Sequence, residues 1–160
     1  MKEEIERKFL VSGEFQHLAK RTFPVRQGYL STGDNVVRVR LAEGKGWLTI
    51  KGLSTPDGLV RPEWETEIAP ADAEALLKLC GENIIEKTRF IIPEKNGLIF
   101  EVDVFKGKNK GLTIAEIELP GRNHPFDKPS WLGKEITGDM KYYNVFLLKK
   151  PYSEWRTFNG

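Results

Sequence analysis

Sulfur and imidazole are scarce in this chain. A single cysteine, Cys80, excludes an internal disulfide. Two histidines, His17 and His124, stand far apart with no paired cysteines near them, so the usual zinc patterns are missing. No apolar run is long enough to span a bilayer, and the first residues contain no signal-peptide core. No membrane partner is expected, and the expected compartment is the cytoplasm. Neither charge sign dominates. A net charge of +2 over 160 residues is too small to announce a nucleic-acid partner or an anionic membrane. Charged residues nevertheless make up 30% of the chain, against 39% hydrophobic. That is more than the usual charged share of roughly a quarter, and the excess must sit on the surface or in a polar interior. With thiol and imidazole ligands ruled out, any metal would be held by carboxylates, which suit Mg²⁺ or Mn²⁺.

The length fits one domain, over 1–150, with a C-terminal tail over 151–160. Short strands follow one another along it. The first runs through Glu4–Val11 and stops at Ser12-Gly13; Ser12 is expected to cap a short helix over about 13–20, with Phe15, Leu18 and Ala19 on its apolar side. Val25–Leu30 is extended, and Thr32-Gly33-Asp34-Asn35 turns into a strand over 36–41. Gly44-Lys45-Gly46 turns that into 47–51, and Thr55-Pro56-Asp57-Gly58 leads to a long strand over about 60–69. The clearest helix covers about 71–80: Pro70 suits its first turn, Asp72 and Glu74 its N-terminal end, Leu76, Leu77 and Leu79 give an apolar face, and Gly81 ends it. Strands resume over about 84–92, 98–105 and 112–119, the first two joined through Asn96-Gly97. Residues 120–129 are irregular, and 139–149 reads as a closing helix with Tyr143, Phe146 and Leu147 on one side. The fold class is mainly β (α+β). Eight strands joined by tight turns are expected to close into an antiparallel β-barrel with helices outside, because closure removes exposed edges.

Charges alternate along most of these strands: Glu4, Glu6 and Lys8; Arg38 and Arg40; Lys51; Glu63, Glu65 and Glu67; Lys87 and Arg89; Glu101 and Asp103; Glu116 and Glu118. Side chains alternate faces in a strand, so each set shares one face, and mostly apolar residues such as Val39, Trp64, Val102 and Ile117 take the other. Two architectures fit. The charges face water around an ordinary apolar core, or they line the lumen while the apolar face packs under the two helices. Blocking of signs by strand favours the second, because like charges side by side destabilise a solvated sheet. Enclosed charges need partners. Grouped carboxylates suit a hard divalent cation, and grouped Arg and Lys suit phosphates. Together they describe a site for a metal–polyphosphate complex.

Glu4-Ile5-Glu6-Arg7-Lys8 resembles the E-x-E-x-K signature of the CYTH, or triphosphate tunnel metalloenzyme, superfamily. Arg38-Val39-Arg40, Lys51, Glu63-Trp64-Glu65, Lys87-Thr88-Arg89, Glu101-Val102-Asp103, Glu116-Ile117-Glu118 and Lys141-Tyr142 resemble its later motifs in the same order. The resemblance reaches about residue 148 and looks closest to short, single-domain bacterial members that hydrolyse inorganic triphosphate. It implies an eight-stranded antiparallel tunnel with a charged lumen, a divalent metal, Mg²⁺ or Mn²⁺, and a small-molecule triphosphate as substrate; no nucleic-acid partner is expected from the small net charge, and a homodimer is the candidate assembly. Lys8, Arg38, Arg40, Lys51, Lys87, Arg89 and Lys141 are then the candidate phosphate ligands, and Lys8, Lys87, Arg89 and Tyr29 the candidate catalytic groups. Glu4, Glu6 and Glu118 would hold one metal, and some of Glu63, Glu65, Glu101, Asp103 and Glu116 a second. Glu67 falls beyond the site, toward the tunnel mouth. Since the family also holds class IV adenylate cyclases, two further functions stay open: ATP cyclisation in the same tunnel, and a non-catalytic polyphosphate-binding module.

Overall fold

The computed structural model describes residues 1–158. The strands are β1 (Lys2–Val11), β2 (Arg21–Thr32), β3 (Val36–Ala42), β4 (Lys45–Lys51), β5 (Val60–Ile68), β6 (Ile84–Pro93), β7 (Ile99–Phe105), β8 (Thr113–Glu118) and β9 (Leu132–Glu135); the helices are α1 (Pro70–Leu79) and α2 (Asn144–Lys149). The strand order is β5-β4-β3-β2-β6-β7-β8-β1-β9, every pairing is antiparallel, and β5 also pairs with β1. That last pairing closes the expected eight-stranded barrel. β9 is an extra strand in a stretch with no strand pattern; it pairs with the far end of β1, through Phe9 and Val11. The turn between β3 and β4 is the two-residue Glu43-Gly44, both at positive φ (53° and 73°), the geometry that suits the right-handed twist of a hairpin. It lies one position earlier than the glycines suggest, and Gly46 belongs to β4.

Three apolar clusters hold the barrel, and only two lie on its outer wall. Over β3 and β4, the α1 residues Ala73 and Leu77 pack on Val39, with Leu41 and Leu48 at the edge. Pro70 stands in the first turn of α1, and Cys80 caps its end as a buried thiol. Gly28 of β2 has no side chain because Cys80 Sγ would lie 2.7 Å from a Cβ placed there. On the opposite wall, Phe9, Phe100, Val102, Ala115 and Ile117 are covered by Phe15, Leu119 and Trp131. The cover here is the irregular segment after β8, not a second helix. The expected helix over 13–20 is a single 3-10 turn, Gln16–Leu18, with no side-chain cap. Ser12 instead approaches the Trp131 and Leu132 carbonyls, Phe15 is drawn into the cluster, and Leu18 is left exposed. Tertiary burial of one phenylalanine outweighs a weak helical preference.

The third cluster plugs one end of the barrel from inside. Tyr29, Ile85, Phe105 and Ile114 continue the inward-facing positions of β2, β6, β7 and β8, and they meet Leu112, Ile136 and Leu147 of α2. The closing helix expected over 139–149 is split: Met140–Tyr142 is a 3-10 turn and only Asn144–Lys149 is α-helical. It seals an end and does not cover the outer wall. Tyr152 and Trp155, from the expected tail over 151–160, pack on the same cluster; Asn159 and Gly160 lie outside the described residues. Among the described residues no helix is long and apolar enough to cross a membrane.

Candidate active site

Toward the other end of the barrel the same inward positions carry charge. Side chains from seven of the eight barrel strands surround a cavity of about 210 Å³, and all its lining residues are charged. β1 contributes Lys2, Glu4 and Glu6, β8 contributes Glu116 and Glu118, β5 contributes Glu63 and Glu65, and β7 contributes Glu101. Opposite them stand Arg38 and Arg40 of β3, Lys51 of β4 and Arg89 of β6. The strand order therefore sorts charge around the ring. β7, β8, β1 and β5 form a contiguous acidic arc, and β4, β3 and β6 form a basic one, with uncharged Val25, Gln27 and Tyr29 of β2 inside the latter.

Ion pairs join the arcs at their borders. Lys51 Nζ lies 2.8 and 3.0 Å from the two oxygens of Glu4 and 3.5 Å from Glu63. Burial alone would raise the Glu4 carboxyl, but the Lys51 ammonium brings it down to about 2. Arg38 and Arg40 both reach Glu65 Oε2 at 3.6 Å, and Thr49 donates to the same oxygen at 2.5 Å. Burial, with Arg38 and Arg89 close by, lowers Arg40 to about 10. At the other border, Asp103 is 1% exposed and both its oxygens are taken: Arg89 donates through Nε at 2.8 Å and Nη2 at 3.0 Å, and Lys87 Nζ lies 2.7 Å from Oδ2. Burial opposes ionisation of Asp103, yet the two cations hold it well below the usual carboxylate range. Lys87, 2% exposed, is pushed down by burial even so. Glu101 takes Arg89 Nη1 at 3.3 Å.

Within the acidic arc, Glu118 is paired with Lys2 at 2.7 Å, and burial of Glu116 is outweighed by the ammoniums of Lys8 and Lys87, which lower it, but relief is weaker at Glu6 and Glu63. Glu6 is pushed well above the usual range by burial and by the carboxylates of Glu116 and Glu4, with Lys8 only at 3.9 Å. Glu63 is raised by burial and by Glu4. A cation bound among such crowded carboxyls would relieve them, and an all-oxygen donor set of this kind fits a hard divalent ion. As the side chains stand, no three His, Cys, Asp or Glu groups among the described residues are gathered around one point.

Of the residues singled out from sequence, Glu4, Glu6, Arg38, Arg40, Lys51, Glu63, Glu65, Arg89, Glu101, Glu116 and Glu118 all line this cavity. Lys8 stands deeper, its ammonium 4.6 Å from the centre of the Tyr143 ring. Tyr29 is buried, and its hydroxyl accepts from Gln27 Nε2 at 2.8 Å. Lys141 is elsewhere: it is exposed, with its ammonium over the rings of Tyr142 and Trp155. Glu67 is exposed opposite Trp47 and does not line the cavity. Thr49 and Gln27, both fully buried on the inner wall, escaped notice because they are uncharged. Their even spacing from Lys51 and Tyr29 was the available signal.

The family model for the CYTH domain matches residues 2–149. The chain belongs to the CYTH family. Among its CYTH relatives, an inorganic triphosphatase of Acetivibrio thermocellus is 47% identical over 159 residues, covering 98% of this chain and 99% of that protein. An inorganic triphosphatase of Nitrosomonas europaea is 36% identical over 146 residues, covering 90% and 95%. A crystal structure of an inorganic triphosphatase superposes with a TM-score of 0.65 at 32% identity, covering 92% of this chain and 95% of that one. This CYTH chain therefore shares fold and nearly full length with those proteins.

Proposed function

We propose that this protein hydrolyses a short triphosphate, inorganic tripolyphosphate, in a reaction that depends on Mg²⁺ or Mn²⁺. The observation that carries this is the ring of charge: a cation arc facing a carboxylate arc across one small cavity. The relatives named inorganic triphosphatases support it. Arg38, Arg40, Lys51, Lys87 and Arg89 clamp phosphate oxygens and neutralise charge that grows as the anhydride bond breaks. Asp103 holds Lys87 and Arg89 at fixed distances, so the clamp is set before substrate arrives. Lys8, held over the Tyr143 ring, reaches the terminal phosphate or the attacking water, and Tyr29 borders that end of the site. Glu4, Glu6 and Glu118 would hold one divalent ion, and some of Glu63, Glu65, Glu101 and Glu116 a second, Asp103 being taken up by Lys87 and Arg89. When bound, such an ion neutralises phosphate charge and lowers the pKa of a bound water. The free thiol of Cys80 suits a reducing compartment, the cytoplasm.

The inner cavity, lined wholly by charged residues, suits phosphates and a metal ion and offers no surface for an adenine ring, which favours hydrolysis over cyclisation of ATP. The test is a phosphate-release panel with tripolyphosphate, pyrophosphate, ATP and thiamine triphosphate under Mg²⁺ or Mn²⁺, with cyclic AMP measured in parallel. Tripolyphosphate is expected to give the highest kcat/KM. Cyclic AMP and pyrophosphate as the main products from ATP would reverse the assignment.

A further inference from the structure

A second cavity, of about 530 Å³, opens beside the plugged end of the barrel. It shares Arg38 and Lys51 with the inner cavity and adds Lys8, Arg61, Tyr143 and Asn144. Its charge balance is the reverse of the inner one. Four cations line it against one carboxylate, Asp34, whereas the inner cavity has seven carboxylates against five cations. Three features mark it as more than a basic recess. Arg61 has no carboxylate within 4 Å among the described residues; its Nε and Nη2 donate to the Gly52 carbonyl at 3.2 and 3.0 Å, which fixes the guanidinium and leaves Nη1 unpaired. Arg38 Nε is buried without a hydrogen-bond acceptor. Asn144 Oδ1 is buried without a donor. Buried polar groups are rarely left unpaired, so each needs a partner to account for it. One ligand class answers all three: a small oxyanion that also carries an O–H, with oxygens for the two arginines and a proton for the amide carbonyl.

We propose that this pocket is an orthophosphate subsite, through which product phosphate leaves the inner cavity. Only the origin of the phosphate rests on the hydrolytic reading. In that reaction a water oxygen bonds to the terminal phosphorus, the bridging P–O bond breaks, and its electron pair stays on pyrophosphate. Tripolyphosphate and water thus give HPO₄²⁻, pyrophosphate and one proton, and HPO₄²⁻ carries the O–H that Asn144 accepts. Asp34 is the one carboxylate among the residues lining this second cavity, so its field favours an anion there.

The test is calorimetric titration of the metal-free full chain with inorganic phosphate. The native protein binds. Arg61→Met weakens binding about tenfold or more, the scale of one lost charge-assisted hydrogen bond. Arg61→Lys keeps the charge but loses the two-pronged hold on the Gly52 carbonyl, so its affinity falls between those of the native protein and Arg61→Met. Asn144→Asp is isosteric but adds a negative charge, and it too weakens binding by about tenfold, which guards against a folding defect in Arg61→Met. Lys45→Met, at the opposite mouth of the barrel, stays within about twofold, since it lies outside the pocket. No detectable phosphate binding, native affinity in both Arg61→Met and Asn144→Asp, or an equal loss in Lys45→Met would each overturn the proposal. Turnover of tripolyphosphate is assayed on the same native sample. Arg61-dependent binding without turnover would sink the hydrolytic reading and leave the subsite; turnover with Arg61-independent binding would sink the subsite alone.

Discussion

Replacing Asp103 with asparagine tests whether the phosphate clamp is set by one buried carboxylate. Asp103 is 1% exposed and is bonded to Arg89 twice and to Lys87 once, at 2.7–3.0 Å. The asparagine would keep the shape but lose the charge, and its amide N–H₂ would face a donor. Two cations, Lys87 at 2% and Arg89 at 7% exposure, would then be buried without their counter-ion. Removing one partner of a buried pair costs about 3–5 kcal/mol. For a chain of this size each kcal/mol moves the melting temperature by roughly 2–4 °C, so a fall of about 6–20 °C is expected in metal-free buffer. Lys87, already pushed down by burial, drops further without Asp103, so the clamp also loses charge and kcat falls. Tripolyphosphate supplies the missing negative charge and should recover part of the melting temperature in the variant, more than in the native protein. The assays are differential scanning calorimetry with and without tripolyphosphate, and initial-rate kinetics. A loss below about 1 kcal/mol, the range of an exposed ion pair, would refute the reasoning.

Three further outcomes are expected. Glu6→Gln should stabilise the metal-free protein above neutral pH, because it removes one of several crowded buried carboxylates, yet raise the Mg²⁺ needed for turnover or abolish it; loss of metal-free stability together with full activity at low Mg²⁺ would contradict both halves. Glu6 and Glu63 are raised in the folded state, so the stability they confer is complete below their unfolded values near pH 4 and is lost as pH climbs through the folded ones, while Glu4, Asp103 and Glu116 are lowered and contribute fully above about pH 5. Metal-free melting temperatures should therefore fall as pH is raised from about 5 to 8, and Mg²⁺ should restore more at pH 8 than at pH 5; a flat profile unmoved by Mg²⁺ would argue against the crowded carboxylates. Gly138→Ala should cost at least about 2 kcal/mol in a denaturant melt, because φ is +79° there and a Cβ would lie 2.5 Å from the Asp57 carbonyl oxygen; a change under about 0.5 kcal/mol would show that these two loops do not need their close approach.

Much of this protein is legible without coordinates. Charged residues alternate with apolar ones at period two, and period two is a property of the strand itself, so the sequence determined which side chains of each strand share a face. Tight turns between short strands pointed to antiparallel pairing and a closed barrel, and the acid and base pairs marked the inner wall. What one strand cannot state is its neighbour. Closure of β5 onto β1 is what places Glu63 beside Glu4, and the order β7-β8-β1-β5 is what gathers acids from both ends of the chain into one arc. The register of the β6–β7 hairpin sets Asp103 against Lys87 and Arg89, which turns an acid of the alternating set into the holder of two cations. The ends of the barrel were equally hidden. Ile85, Phe105 and Ile114 occupy the same inward positions as Lys87, Asp103 and Glu116, and only the docking of Leu147 decides that this end is filled. Periodicity assigns a residue to a face; depth along the barrel, and therefore wet site or dry plug, is decided by what the rest of the chain brings to that level.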